Sequence, residues 1–190
     1  MWYNILMRNY IKDDLSSLLI NISRDDEKGW HSAFDALKRL FRSNYGGFDS
    51  VKYCAQRIYD YLESLEPLIQ HGVSNVCPSC EKVCCVNRYG YFDVNDMVYL
   101  LALDNKYHRD YERFVSFTAS DTTACAHLNQ YGCSIERPLR PFRCNWFFCA
   151  PLIDFMSSRS AREFRDFSNR FSEIIRLRKT MIDNFCYYIK

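Results

Sequence analysis

The chain has 190 residues, a length that suits one domain with a sizeable core, and 48% of them are hydrophobic, which excludes a disordered chain. Only 6 glycines and 5 prolines occur, too few for the many tight turns of an all-β fold. The net charge of +2 is too balanced to imply nucleic acid, and no apolar run approaches the ~20 residues that cross a bilayer, so neither partner is expected.

The stretch Met1 to Arg8 lacks the basic start of a signal peptide, and charged residues soon interrupt its apolar run. A cytoplasmic protein is expected, and in that compartment thiols stay reduced. Ile11, Leu15, Leu18, Leu19 and Ile22 suggest a helix from about Asp13 to Ile22. Trp30, Phe34, Leu37 and Phe41 then recur at helical spacing and predict a helix over 28–45, closed by Gly46-Gly47. Asp49 or Ser50 can cap the next helix, whose seam is Val51, Ala55, Ile58, Leu62, Leu65 and Ile69. Pro67 falls inside that seam, so the helix is expected to kink or end near Leu65-Glu66, giving 49–66, with His71-Gly72 closing the segment. Further on, Asp93 reads as an N-cap with Asp96 near the same helix start, and Met97, Leu100, Leu101 and Leu103 form the buried side.

Residues 106–117 suggest a further helical piece, and Ser120 to Thr123 a loop. Residues 125–151 hold Pro138, Pro141 and Pro151 without a long period and read as irregular coil. Phe164, Phe167, Phe171, Ile174, Met181, Phe185 and Tyr188 predict a long helix over 160–189, interrupted in its seam by Arg178. The expected architecture is mainly α: a single domain over 1–190, an antiparallel helical bundle into which a long irregular cysteine-rich segment, 77–149, is inserted.

That segment carries the chemistry. Ten cysteines in 190 residues fall below the ~8–10% of a small disulfide scaffold. Eight of the ten lie between residues 77 and 149: Cys77, Cys80, Cys84 and Cys85 in one run, then Cys125, Cys133, Cys144 and Cys149. A C-x-x-C turn lets the chain double back so that two thiolates reach one ion, and Pro78 stiffens the turn. Cys84 and Cys85 are adjacent, so in an extended chain their sulfurs point to opposite sides and could serve two ions or one ion and the core. Apolar packing alone gives no reason for such a run, whereas Cys54 and Cys186, next to seam residues, read as core.

The same residues resemble the cysteine-cluster proteins of the YkgJ type, described as zinc- or iron-chelating and marked by a CxxCxxCC run. Here the matching elements are Cys77-x-x-Cys80 followed by Cys84-Cys85, then Asp93-x-x-Asp96, Cys125-Ala-His-Leu128, Cys133-Ser-Ile135 and Arg140-Pro141-Phe-Arg-Cys144. The resemblance covers about residues 77–149. The chain departs from it in the three-residue gap before Cys84, in Glu136 where the family has Tyr, in an extra residue before Arg140 and in Asn145 after the cysteine; Cys149 is not a general family position. Flagellin lysine N-methylases are similar over this region and carry an iron–sulfur cluster. The resemblance implies a metal or cluster in this region, and the expected ligands are the eight clustered cysteines, Cys77, Cys80, Cys84, Cys85, Cys125, Cys133, Cys144 and Cys149.

All-thiolate donors suit both zinc and iron–sulfur, so the metal stays open. The surroundings tilt the expectation slightly to a 4Fe–4S cluster. Tyr89, Tyr91, Phe92, Phe142, Trp146, Phe147 and Phe148 could shield it, and Arg137, Arg140 and Arg143 could offset the thiolate charge. The function expected is electron transfer, alone or within a larger enzyme system and so with a protein partner. The alternatives are a zinc-stabilised binding module without catalysis and a lysine N-methylase-like enzyme, for which no glycine-rich donor loop is visible. His127 is a weaker ligand candidate, and His31, His71 and His108 read as solvated. No Walker loop, HExxH or GxSxG occurs. The arginines of the last helix alternate with Glu163, Asp166 and Glu173, which reads as a salt-bridged solvent face.

Overall fold

Asp26 starts the first described helix, α1 (Glu27–Arg42), by accepting from the Gly29 N–H at 2.8 Å. Glu27 in the first turn and Arg39 and Arg42 in the last suit the helix dipole. Trp30, Ala33, Phe34, Leu37 and Leu40 are buried along one face; Phe41, expected on that face, is half-buried because Leu40 takes the deeper position. The helix ends before residue 45, where the Ser43 N–H and hydroxyl bond the Arg39 and Leu40 carbonyls at 3.0 and 2.7 Å.

The computed structural model describes residues 26–43, 48–80, 85, 90–103, 125, 127–129 and 132–189. The expected helix 13–22, Gly46-Gly47, Cys84, Tyr89, residues 106–117, His108 and the loop at 120–123 lie outside them. The described chain is mainly helical. It divides into two compact units, Met1–Gln56 with Phe92–Ser120 and Lys179–Lys190, and Arg57–Tyr91 with Asp121–Arg178.

In the first unit, α1 packs against a short helix, α3 (Val94–Ala102). The sequence reading of its start holds: Asp93 Oδ1 accepts from the Asp96 N–H at 2.8 Å and Asp96 Oδ2 from the Asp93 N–H at 3.2 Å, a reciprocal capping box. Met97 through Leu103 are all buried. The Trp30 indole N–H donates to the Phe92 carbonyl at 2.8 Å, fixing α1 to the chain just before α3. Phe41, Phe48 and Phe185 stack at 4.8 to 6.1 Å, so the last residues of the C-terminal helix complete this core.

The second long helix, α2 (Asp49–Val76), corrects the expectation that Pro67 stops it. It runs on past the proline because its buried seam does. Leu62, Leu65, Ile69 and Gly72 keep one face covered, while Glu63, whose carbonyl loses its partner, and Pro67 itself lie exposed, where water can satisfy that carbonyl. Gly72 is a packing glycine and not a terminator: a Cβ there would come within 2.7 Å of Leu152 Cδ1 and 3.4 Å of Met156 Cγ.

Leu152 and Met156 belong to α5 (Ala150–Arg159). The C-terminal helix α6 (Ala161–Ile189) begins after Ser160, whose Oγ accepts from the Glu163 N–H at 3.2 Å. Leu177 fills the gap in its seam and frees Arg178 to lie 4.4 Å from the Phe142 ring centroid. The alternating charges pair as expected, Arg170 with Asp166 at 2.9 Å and Arg176 with Glu173 at 2.5 Å. Among the described residues no helix is long and apolar enough to cross a membrane.

The second correction concerns residues 125–151, which are not irregular coil where they are described. A short antiparallel hairpin, β1 (Leu128–Asn129) with β2 (Gly132–Cys133), leads to a 3-10 turn at Arg137–Leu139, then α4 (Phe142–Trp146) and α5. The three prolines start these pieces. Pro138 lies in the first turn of the 3-10 segment, Pro141 precedes α4 and Pro151 opens α5, positions where a fixed φ is an advantage.

Candidate metal centre

α2 delivers the first two cysteines. Its helical ladder ends at Val76, Pro78 turns the chain into the 3-10 segment Cys77–Ser79, and the Cys80 N–H bonds back to the Cys77 carbonyl at 3.1 Å. The Ser79 hydroxyl takes up the Val76 carbonyl at 3.2 Å. Cys77 and Cys80 thus sit on one tight turn, both half-buried. Cys84 lies outside the described residues, and Cys85 is half-buried.

The second cysteine group approaches the first through the backbone. The Cys125 N–H donates to the Cys85 carbonyl at 3.0 Å. Gly90 stands against Cys125, where a Cβ would come within 2.9 Å of its Sγ, so a larger residue would displace the thiol. Cys125 also opens a turn, its carbonyl accepting from Leu128 N–H at 2.9 Å, and the hairpin then pairs Leu128 with Cys133 while Ser134 N–H reaches the His127 carbonyl at 2.8 Å. Cys144 is on α4, its N–H bonded to the Pro141 carbonyl at 2.8 Å. Cys149 occupies the N-cap position of α5. A second link joins the flanks of the two groups: Arg143 donates to the Tyr91 hydroxyl at 2.8 Å with its guanidinium 5.1 Å from the ring centroid.

No disulfide joins any of the nine described cysteines. The structure brings together Cys77 with Cys80, and Cys85 with Cys125; among the described residues no three Cys, His, Asp or Glu side chains are grouped closely enough to hold an ion. Cys54 is buried as expected, whereas Cys186 is half-buried. His31 is exposed 3.9 Å from Glu27, and His71 is exposed beside Arg159.

Of the arginines near the cysteines, Arg137 does something that its sequence position did not announce. It is 4% exposed and its Nε bonds the carboxylate of Glu66 on α2. Burial, then repulsion from Arg140, draw its guanidinium below the ordinary value, while the Glu66 carboxylate acts in the opposite direction. Around it the turn is locked: Arg140 Nε donates to the Ile135 carbonyl at 2.8 Å, and the buried Asn145 amide to the Arg137 carbonyl at 3.1 Å. The Asn145 Oδ1 has no hydrogen-bond partner among the described residues.

Of the aromatics expected to act as a shield, Phe92 is buried, Trp146 and Phe147 are 49% and 39% exposed, and Phe148 packs on Phe167 and Phe171 at 5.2 and 5.4 Å. No family model, no curated protein and no solved structure matches the chain.

Proposed function

We propose that the chain is a cysteine-cluster metal-binding protein whose donors come from Cys77, Cys80, Cys84, Cys85, Cys125, Cys133, Cys144 and Cys149. The observation that carries this reading is the backbone bond from Cys125 to Cys85 at 3.0 Å, because it joins two cysteine groups that lie far apart in the chain. The C-x-x-C turn adds support. It follows the C-terminus of α2, where the negative end of the helix dipole favours a cation and disfavours a bare thiolate. A redox C-x-x-C draws on the opposite effect, a thiol pKa lowered at a helix N-terminus.

On this reading the segment 77–149 is the metal-binding insertion of a helical frame, and the ion draws the preformed pairs into one donor set. Binding is then folding free energy, on the order of 10 kcal/mol for a thiolate site. A 4Fe–4S cluster would supply one-electron transfer, with a larger enzyme or redox partner to receive it. A zinc-stabilised binding module is the second reading. The exposure of Trp146 and Phe147 favours it, since structural zinc needs less shielding from water than a cluster does.

Anaerobic purification followed by visible absorbance and metal analysis tests both. A brown protein with iron and sulfide is expected; a colourless one with stoichiometric zinc, even after anaerobic reconstitution with iron and sulfide, rejects the cluster. The Cys80→Ser variant is expected to lose metal and most of the ordered structure between residues 77 and 149. Unchanged metal content in that variant refutes the ligand assignment.

A further inference from the structure

Cys85 and Cys125 are held in a way that suits a second chemistry. A backbone N–H to C=O bond such as theirs, 3.0 Å long, keeps two Cα atoms on the order of 5–6 Å apart. Two cysteines can be bridged from about 4.4–6.8 Å. Both residues are half-buried, so a small oxidant can reach them. Gly90 backs Cys125 closely, with 2.9 Å between its would-be Cβ and the sulfur, which limits where the thiol can go. Cys77 and Cys80 also lie close in the chain, on one tight turn closed by the Cys80 N–H bond to the Cys77 carbonyl at 3.1 Å.

We infer that Cys85 and Cys125 form a redox-modification site, a dithiol that a hydroperoxide converts to a disulfide. One thiolate attacks the terminal peroxide oxygen. An S–O bond forms, the O–O bond breaks, and the departing alkoxide takes a proton to leave as the alcohol, or as water from hydrogen peroxide. The second thiolate attacks the resulting sulfenic sulfur. The S–S bond forms, the S–O bond breaks, and hydroxide leaves as water. An electron pair passes from the two sulfurs to the peroxide. The bridge itself does not depend on a metal. Its consequence does rest on the metal-binding reading: disulfide and ion compete for the same two sulfurs, so oxidation expels the ion and a bound ion protects the thiols.

The test uses the full chain. Metal content is measured first, the protein is stripped with a chelator under reducing conditions, desalted and treated with hydrogen peroxide, and disulfide-linked tryptic peptides are identified by mass spectrometry. Tryptic peptide 83–88, holding Cys84 and Cys85, is expected to be joined to peptide 114–143, holding Cys125 and Cys133. The link is expected to survive in Cys84→Ser and Cys133→Ser and to be lost in Cys85→Ser and Cys125→Ser. Persistence of the link in either of the last two variants, a bridge confined to Cys77 and Cys80, or no bridge in the wild type overturns the inference. Metal found beforehand with no bridge afterwards leaves the metal reading standing alone. A bridge in a protein that never held metal does the reverse.

Discussion

In the first unit α1 packs on α3, and nearly all that is buried there is apolar: Trp30, Phe34, Leu37, Met97, Leu100 and Leu101. Polar side chains serve at the ends, as Asp26 and the Asp93–Asp96 box do. The stretch from Cys125 to Cys149 in the second unit is made differently. Ile135 and Leu139 are its buried aliphatic anchors, and its turns are held by the Arg137–Glu66 pair, the Arg140–Ile135 bond and the Asn145 amide. Apolar burial is divisible, since each side chain adds its own area. A polar lock is not divisible, because removing one member leaves the other buried and unsatisfied.

The sharpest way to test that contrast is to open the lock from each side. Arg137 is 4% exposed and Glu66 34%. Glu66→Ala leaves a guanidinium buried without its carboxylate and is expected to cost about 3–5 kcal/mol in urea unfolding. Arg137→Met refills the volume and lets Glu66 turn to water, so it should cost clearly less. Equal costs would mean that Arg137 is not held by Glu66 as described. Because the lock anchors the turn between Cys133 and Cys144, Glu66→Ala should also lower metal content.

Leu37→Ala is the counterpart in the first unit. Leu37 is fully buried, and its truncation is expected to cost about 2–5 kcal/mol by the loss of burial and the cavity left behind. Metal content and the thiols at Cys85 and Cys125 should be unaffected. A parallel loss of metal in Leu37→Ala and Glu66→Ala would erase the distinction between the two regions.

The same contrast explains what could be read from the residues alone. The seams Trp30–Phe34–Leu37 and Ile58–Leu62–Leu65–Ile69 repeat over several turns, and Asp93 with Asp96 has a three-residue signature, so these elements were legible. Pro67 misled because its local cost was weighed without the covered seam that continues past it to Gly72, itself set by Leu152 and Met156 far along the chain. Residues 125–151 misled because short turns have no period and because prolines that open helical pieces look, in one dimension, like prolines that break them. Cys77 and Cys80 were legible as a pair from spacing. The pairing of Cys85 with Cys125 was not, since it rests on one long-range backbone bond that no side-chain pattern encodes. Arg137 and Glu66 left no signal at all: two ordinary charges in exposed-looking sequence become partners only in the folded chain.

The smallest expected effect comes from the polar groups of the first unit. Asp93 is exposed, and its carboxylate takes one N–H of α3 that would otherwise be solvated by water. Asp93→Ala is therefore expected to cost about 1 kcal/mol, the usual value of a lost N-cap, and Asp93→Ser should recover most of it because a hydroxyl can accept the same bond. Asp96 returns the bond to the Asp93 N–H at 3.2 Å from a buried position. Its contribution and that of Asp93 are coupled, so the double variant Asp93→Ala/Asp96→Ala should fall short of the sum of the single costs. Strict additivity in that cycle would show that the box is two separate contacts. A cost for Asp93→Ala as large as that for Glu66→Ala would show that polar contacts in the first unit are as indivisible as those around the cysteines.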